Sequence, residues 1–151
     1  MQVTVTAEQP LTAFDTLCCH CDNCKRRSGG VASYAFAVPQ EHVVFEPPPE
    51  DEGVDNGAAA AAAAAEGKEG PNPHRTFVDR ATDSGRLMRR TMCAECGSPV
   101  CIVEAHAPDI RCLQYGLFAG VIELPRPELE MFVAKRIAWV GEVGNDIRDT
   151  T

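Results

Sequence analysis

The stretch "LCCHCDNCKRRSGG", residues 17–30, packs Cys18, Cys19, Cys21 and Cys24 around His20 within seven positions. Three readings compete for it: a metal site, a redox pair and a set of disulfides. Nothing at the start, "MQVTVTAEQPLTAF", has the basic opening and apolar core of a secretory leader, and no window approaches 18 consecutive apolar residues. A soluble, cytoplasmic protein is expected on those grounds, with no membrane partner. In a reducing compartment, closely spaced cysteines point to metal or catalysis more than to disulfides. Cys21-Asp22-Asn23-Cys24 has the spacing of a redox pair, but that motif belongs in a βαβ setting, and no alternation of strand and helix surrounds it.

Working outward from this cluster, the chain consists of short β-branched and aromatic runs punctuated by glycine and proline. "QVTVT" (2–6), "ASYAFAV" (32–38), "HVVF" (42–45), "RTFVDR" (75–80), "GRLMRRTM" (85–92), "PVCIV" (99–103), "RCLQYGLF" (111–118) and "LEMFVA" (129–134) are predicted strands. Asp83-Ser84-Gly85 supplies a hairpin turn between two of them. No segment outside the alanine tract keeps a helical period for three turns. The 151 residues, 44% hydrophobic, suit one mainly β domain spanning 1–151. From about 46 to 73 the composition turns to proline, glycine, acidic residues and the alanine run 58–65, which is too short for a stable isolated helix. That segment is expected to be a flexible low-complexity insertion without chemistry of its own. The net charge of −8 argues against a nucleic-acid partner, since binding a phosphate backbone needs a basic surface.

A second cluster, Cys93-Ala94-Glu95-Cys96-Gly97, has the grammar of a zinc knuckle: two thiolates three apart can grip one tetrahedral ion, and the glycine tolerates a left-handed turn. The first cluster is ambiguous in register. Cys18, Cys21 and Cys24 form one set; Cys19, Cys21 and Cys24 form another. If "TLCCHC" is extended, Cys19 and Cys21 share one face, Cys18 and His20 take the other, and a turn brings Cys24 back. From spacing alone, a closed site of Cys21, Cys24, Cys93 and Cys96 around one structural zinc, with Cys19 idle, is the favoured arrangement.

The combination "CHCDNCKRRSGG", "SGRLMRRTMCAECGSPV" and "FVAKRIAWV" resembles the glutathione-dependent formaldehyde-activating enzyme (GFA) family, also called the CENP-V/GFA domain. The resemblance covers nearly all of the chain outside the insertion. It implies a fold of stacked short antiparallel sheets with zinc knuckles and two zinc ions. Cys19, Cys21 and Cys24 map onto the family's catalytic three-thiolate site, and Cys93 and Cys96 onto half of its structural site. The family's other half, a CxCG near the N-terminus, has no counterpart here, because no cysteine precedes Cys18. A histidine that relatives often carry before the tail strand is replaced by Met131.

The implied activity is that of a carbon–sulfur lyase-like enzyme acting on a thiol–carbonyl adduct such as S-hydroxymethylglutathione. Three thiolates leave a zinc with an open position and net negative charge, suited to holding an incoming thiol as thiolate. Lys25, Arg26 and Arg27 are candidates to offset that charge and bind the carboxylates of glutathione or another acidic small molecule. Two alternatives stay open: a non-catalytic zinc module that binds a protein partner, and an enzyme of this fold that isomerises or dehydrates another small molecule. No general base is apparent; His20, His74 and His106 qualify by chemistry and are expected at the surface. Cys101 and Cys112 are expected in the core, and Trp139 in the core or a pocket wall.

Overall fold

A computed structural model describes residues 2–46 and 73–149; the sequence-predicted insertion lies outside the described residues, apart from its two ends. Ten strands, β1 (Gln2–Val5), β2 (Asp15–Cys19), β3 (Ser33–Pro39), β4 (Val43–Glu46), β5 (His74–Asp79), β6 (Met88–Cys93), β7 (Pro99–Glu104), β8 (Ala107–Gln114), β9 (Leu129–Met131) and β10 (Asp146–Arg148), make the fold mainly β. β1 and β4 pair as a two-stranded sheet. The other eight form one sheet in the order β10-β9-β2-β3-β8-β7-β6-β5. From β2 to β5 every pair is antiparallel, whereas β9 runs parallel to both β2 and β10.

The β-branched and aromatic runs become strands because their bulky side chains fit a pleated, half-buried surface. Their inward residues, among them Phe36, Val38, Val100, Val103 and Leu113, build the main core with Phe14 and Tyr115. Phe36 stacks on Tyr115 at 4.4 Å and meets Phe118 edge-on at 5.6 Å. Cys101 belongs to this core, while Cys112 is half-buried. Two predicted runs end early. "RCLQYGLF" becomes a 3-10 turn at Tyr115–Phe118, and "LEMFVA" stops at Met131 before a second turn at Val133–Lys135.

One short helix accompanies the strands. A seven-residue helix, α1 (Asp22–Ser28), joins β2 to β3. Two turns are too few to show a period in the sequence, and its stability comes from tertiary anchoring. It does not create the βαβ unit of a redox motif, because β2 and β3 are antiparallel. Among the described residues, no helix is long and apolar enough to cross a membrane.

Candidate metal centre

β2 delivers Cys19 at its last position, and the chain then turns into α1 at Cys21. Cys21 has extended geometry (φ −61°, ψ 154°) and is the N-cap; its Sγ accepts the backbone N–H of Cys24 at 3.3 Å. A thiol thus does the work usually given to a serine or aspartate oxygen, satisfying one free N–H of the first turn. The turn carries Cys24 back over the strand end. The sulfurs of Cys19, Cys21 and Cys24 lie within 4.8 Å of one another, and all three residues are buried.

Three thiols this close share their protons unequally. Hydrogen bonds from Cys19 and then Cys24 drive the Cys21 thiol far below its usual value. The same bonds to Cys21 and Cys24, with burial, push Cys19 strongly up. Cys24 is raised to about 11: its bond with Cys19 acts downward, and its bond to Cys21 together with burial outweighs it. Ionisation is thus favoured at Cys21 and disfavoured at Cys19 and Cys24. Soft, negatively charged sulfur at one point, with every cysteine free of disulfides, is a donor set that suits a metal ion. These three residues can hold one.

The helix end of the site is anchored from outside. Asn23, buried, donates from Nδ2 to the carbonyl of Ala81 at 2.8 Å and accepts from the N–H of Asp83 at 2.9 Å. The N–H of Asp22 donates to Asp83 Oδ2 at 2.7 Å. Lys135 bridges Asp83 and Asp22, at 2.8 and 3.3 Å. The Ser-Gly turn between β5 and β6, remote in sequence, therefore holds the helix that carries Cys24.

The strand end has a separate support on the opposite face. Alternation points Cys18 and His20 away from the other thiols, and both meet Glu130, the ladder neighbour of Cys18. His20 Nε2 lies 2.7 Å from Glu130 Oε1 and 3.5 Å from Cys18 Sγ; facing a carboxylate that only accepts, it donates. Arg136 Nη1 also donates to Oε1, at 3.1 Å, while the N–H groups of Val143 and Gly144 both donate to Oε2 at 2.9 Å. Burial would raise the Glu130 carboxyl, but the Gly144 and Val143 N–H groups, then His20 and Arg136, outweigh it and hold it down at about 2. The backbone comes so close that a Cβ on Gly144 would sit 2.5 Å from Glu130 Cβ. The potential ligand atoms of Cys18, His20 and Glu130 lie within 4.8 Å of one another. With two donors on each carboxylate oxygen, however, a metal would have to displace existing bonds, and the cluster reads as a brace.

The N–H of His20 donates to Met131 O at 3.0 Å, which ties the peptide between Cys19 and Cys21 to β9. Next to it, Phe132 has φ +57°, an unusual left-handed conformation for a bulky residue, at a cost on the order of 1–3 kcal/mol. It packs against the thiol cluster with Leu17 and Met131. The sequence reading placed Cys18 and His20 on this face but missed Glu130 and Arg136. The one signal was a glutamate at the centre of the apolar strand "LEM", where alternation aims it opposite to its neighbours.

The other predicted residues are placed differently. Lys25 is paired with Asp22 at 2.9 Å and donates to Lys135 O at 2.8 Å. Arg26 and Arg27 are exposed and line a cavity of about 170 Å³ beside α1; the Arg27 guanidinium stands 4.0 Å above the Phe77 ring. Cys93 and Cys96 form the predicted knuckle, with Gly97 at φ +73° donating its N–H to Cys93 O at 3.0 Å. Cys96 is exposed, and hydrogen bonds from Ser98, then from Cys93, lower its thiol. Among the described residues, neither cysteine joins a group of three or more potential ligands, so the four sulfurs of the closed site do not converge. Two further expectations are corrected. Of these three histidines His20 and His74 are buried and His106 is at the surface: His20, just past β2, is held by Glu130, and His74, at the start of β5, meets the Phe45 ring edge-on. Trp139 is 76% exposed and lines neither the core nor the cavity.

No curated protein matches the chain. The family model described as glutathione-dependent formaldehyde-activating enzyme matches residues 1–61 and 50–135, segments that include both cysteine clusters. With that match over most of its length and three converging thiols at the family's motif, the chain belongs to the GFA family.

Proposed function

We propose that the protein is a zinc-dependent, carbon–sulfur lyase-like enzyme acting on a thiol–carbonyl adduct, of which S-hydroxymethylglutathione is the reference case. The observation that carries this reading is the convergence of exactly three buried sulfurs, from Cys19, Cys21 and Cys24, with no fourth protein ligand beside them among the described residues. Three ligands and one free position mark a working zinc site, whereas four mark a closed structural one. Bound there, zinc would supply a positive centre that stabilises a substrate sulfur as thiolate.

The protein's own residues do the rest. Cys19, Cys21 and Cys24 hold the ion and leave one direction open. The His20–Glu130 brace and the Asn23 anchor keep the ligands from spreading, and Phe132 covers them on one side. In the forward sense, the C–S bond of the hydroxymethyl thioether breaks, its electron pair returns to sulfur, and the hydroxyl gives its proton to water as the carbonyl forms. In the reverse sense, a thiolate adds to the carbonyl and the oxygen is protonated.

The test combines metal analysis with turnover. Wild-type protein should carry zinc at the first cluster and accelerate exchange between glutathione plus formaldehyde and the adduct, followed by NMR. Cys19→Ser should abolish the acceleration while leaving the β fold intact by circular dichroism. Zinc-loaded wild-type protein that leaves the exchange rate at its uncatalysed value overturns the lyase reading.

A further inference from the structure

Arg90 lies in mid-β6 and is 5% exposed. Its Nε donates to Asp79 Oδ2 at 2.9 Å, but its Nη1 is buried with no hydrogen-bond partner among the described residues. Gln114, at the end of β8 and 6% exposed, is in the same condition: Oε1 accepts from Ser33 Oγ at 2.9 Å, and Nε2 is buried and unpartnered. A buried donor left without an acceptor costs about 1–3 kcal/mol, so two at one place call for an explanation.

Both residues line the cavity of about 170 Å³ that Arg26 and Arg27 border, and no acidic residue is among those lining it. Three arginines therefore line this space, and among the described residues the carboxylate bonded to one of them is Asp79, at Arg90 Nε. The cavity adjoins the thiol cluster. Ser33, on its wall, is the ladder partner of Cys19, and directly opposed residues project from the same face of a sheet. Arg26 and Arg27 follow Cys24 on α1. The volume is below the roughly 300–1,000 Å³ that encloses a whole drug-sized molecule, and fits one end of a ligand.

We propose that this cavity binds a carboxylate of the substrate, with Arg90 Nη1 and Gln114 Nε2 as its buried donors and Arg26 and Arg27 as its outer positive wall. The reading deepens the proposed function and rests on it for the thiol chemistry next door. The ligand class is an acidic thiol compound: its carboxylate seats between β6 and β8, and its sulfur reaches the open side of Cys19, Cys21 and Cys24. Arg90 and Gln114 are thus specificity-determining residues, selecting acidic thiols over neutral ones such as a simple mercaptoalcohol.

The probe is S-methylglutathione, which keeps both carboxylates but has no free thiol to join a metal, titrated calorimetrically into the metal-loaded full chain. Wild-type protein should bind the free acid and bind its diethyl ester at least about tenfold more weakly, the loss of one charge-assisted contact. Arg90→Lys, which keeps a cation beside Asp79, and Gln114→Leu should each weaken the acid by a similar factor, with metal content and Tm held. Equal affinity for acid and diester, or no binding of the acid, overturns the proposal, as do two folded variants that bind like wild type. If Arg90→Lys fails to fold, the ester comparison and Gln114→Leu decide. Binding of the acid without turnover of the adduct would leave the carboxylate site standing and remove only the lyase reading.

Discussion

The two cysteine clusters share a CxxC spacing and differ in almost everything else. Cys21 and Cys24 are buried, joined by a third sulfur from Cys19, and fixed by a helix anchor on one side and a buried brace on the other. Cys93 ends β6, half-buried, Cys96 lies exposed in the turn that follows, and Ser98 is their polar support. The difference teaches that spacing places two sulfurs, while burial, a third donor and orthogonal supports make a centre. A knuckle presents its thiols, and a scaffold decides whether anything converges on them.

The largest way to break this contrast is to remove one sulfur from each cluster. Cys24→Ser should cost the chain most of one bound metal ion per molecule, while Cys96→Ser should leave that ion in place; mass-spectrometric metal analysis of the two purified variants distinguishes them. Equal losses would mean that the clusters form one site after all.

Next in size is the brace. Because Glu130 is held at about 2, below the ordinary 4.5, its ionised form stabilises the fold fully above about pH 4.5, and that contribution is lost as pH falls towards 2. The shift corresponds to about 3 kcal/mol. Glu130→Gln should therefore lower stability by that order at neutral pH in urea melts, with the gap to wild type closing in acid. A gap independent of pH would show that shape alone, and not the charge, matters at this position.

The smallest effect belongs to the knuckle's glycine. Gly97→Ala forces a side chain into φ +73°, where space is open and only the backbone conformation is strained, at a cost of about 1–2 kcal/mol. A modest drop in Tm with unchanged metal at the first cluster is expected. A loss of that metal would tie the two regions together.

Much of this was legible in the residues themselves. The β-branched runs located eight of the ten strands among the described residues, and strict alternation along "TLCCHC" put Cys19 and Cys21 on one face with Cys18 and His20 on the other, as observed. The hidden parts share a cause. α1 is too short to show a period, β9 pairs in parallel with β2, Leu129 opposite Leu17 in a distant part of the chain, and Trp139 carries no local sign of whether another surface covers it. Arg89 and Arg90 in "MRRT" drew no expectation from the sequence, although neighbours on a strand face opposite ways. Which of them points inward, and towards what, was not local information.

By itself, then, the sequence determined the fold class, the family and the residue types able to bind a soft metal, because these depend on periodicity, composition and motif spacing along the chain. Only the tertiary structure decided which sulfurs converge, that Glu130 is buried against four donors, and that Arg90 and Gln114 open into one cavity. Those outcomes depend on contacts between segments far apart in the chain, where desolvation makes an unmatched charge or donor costly and a matched one specific.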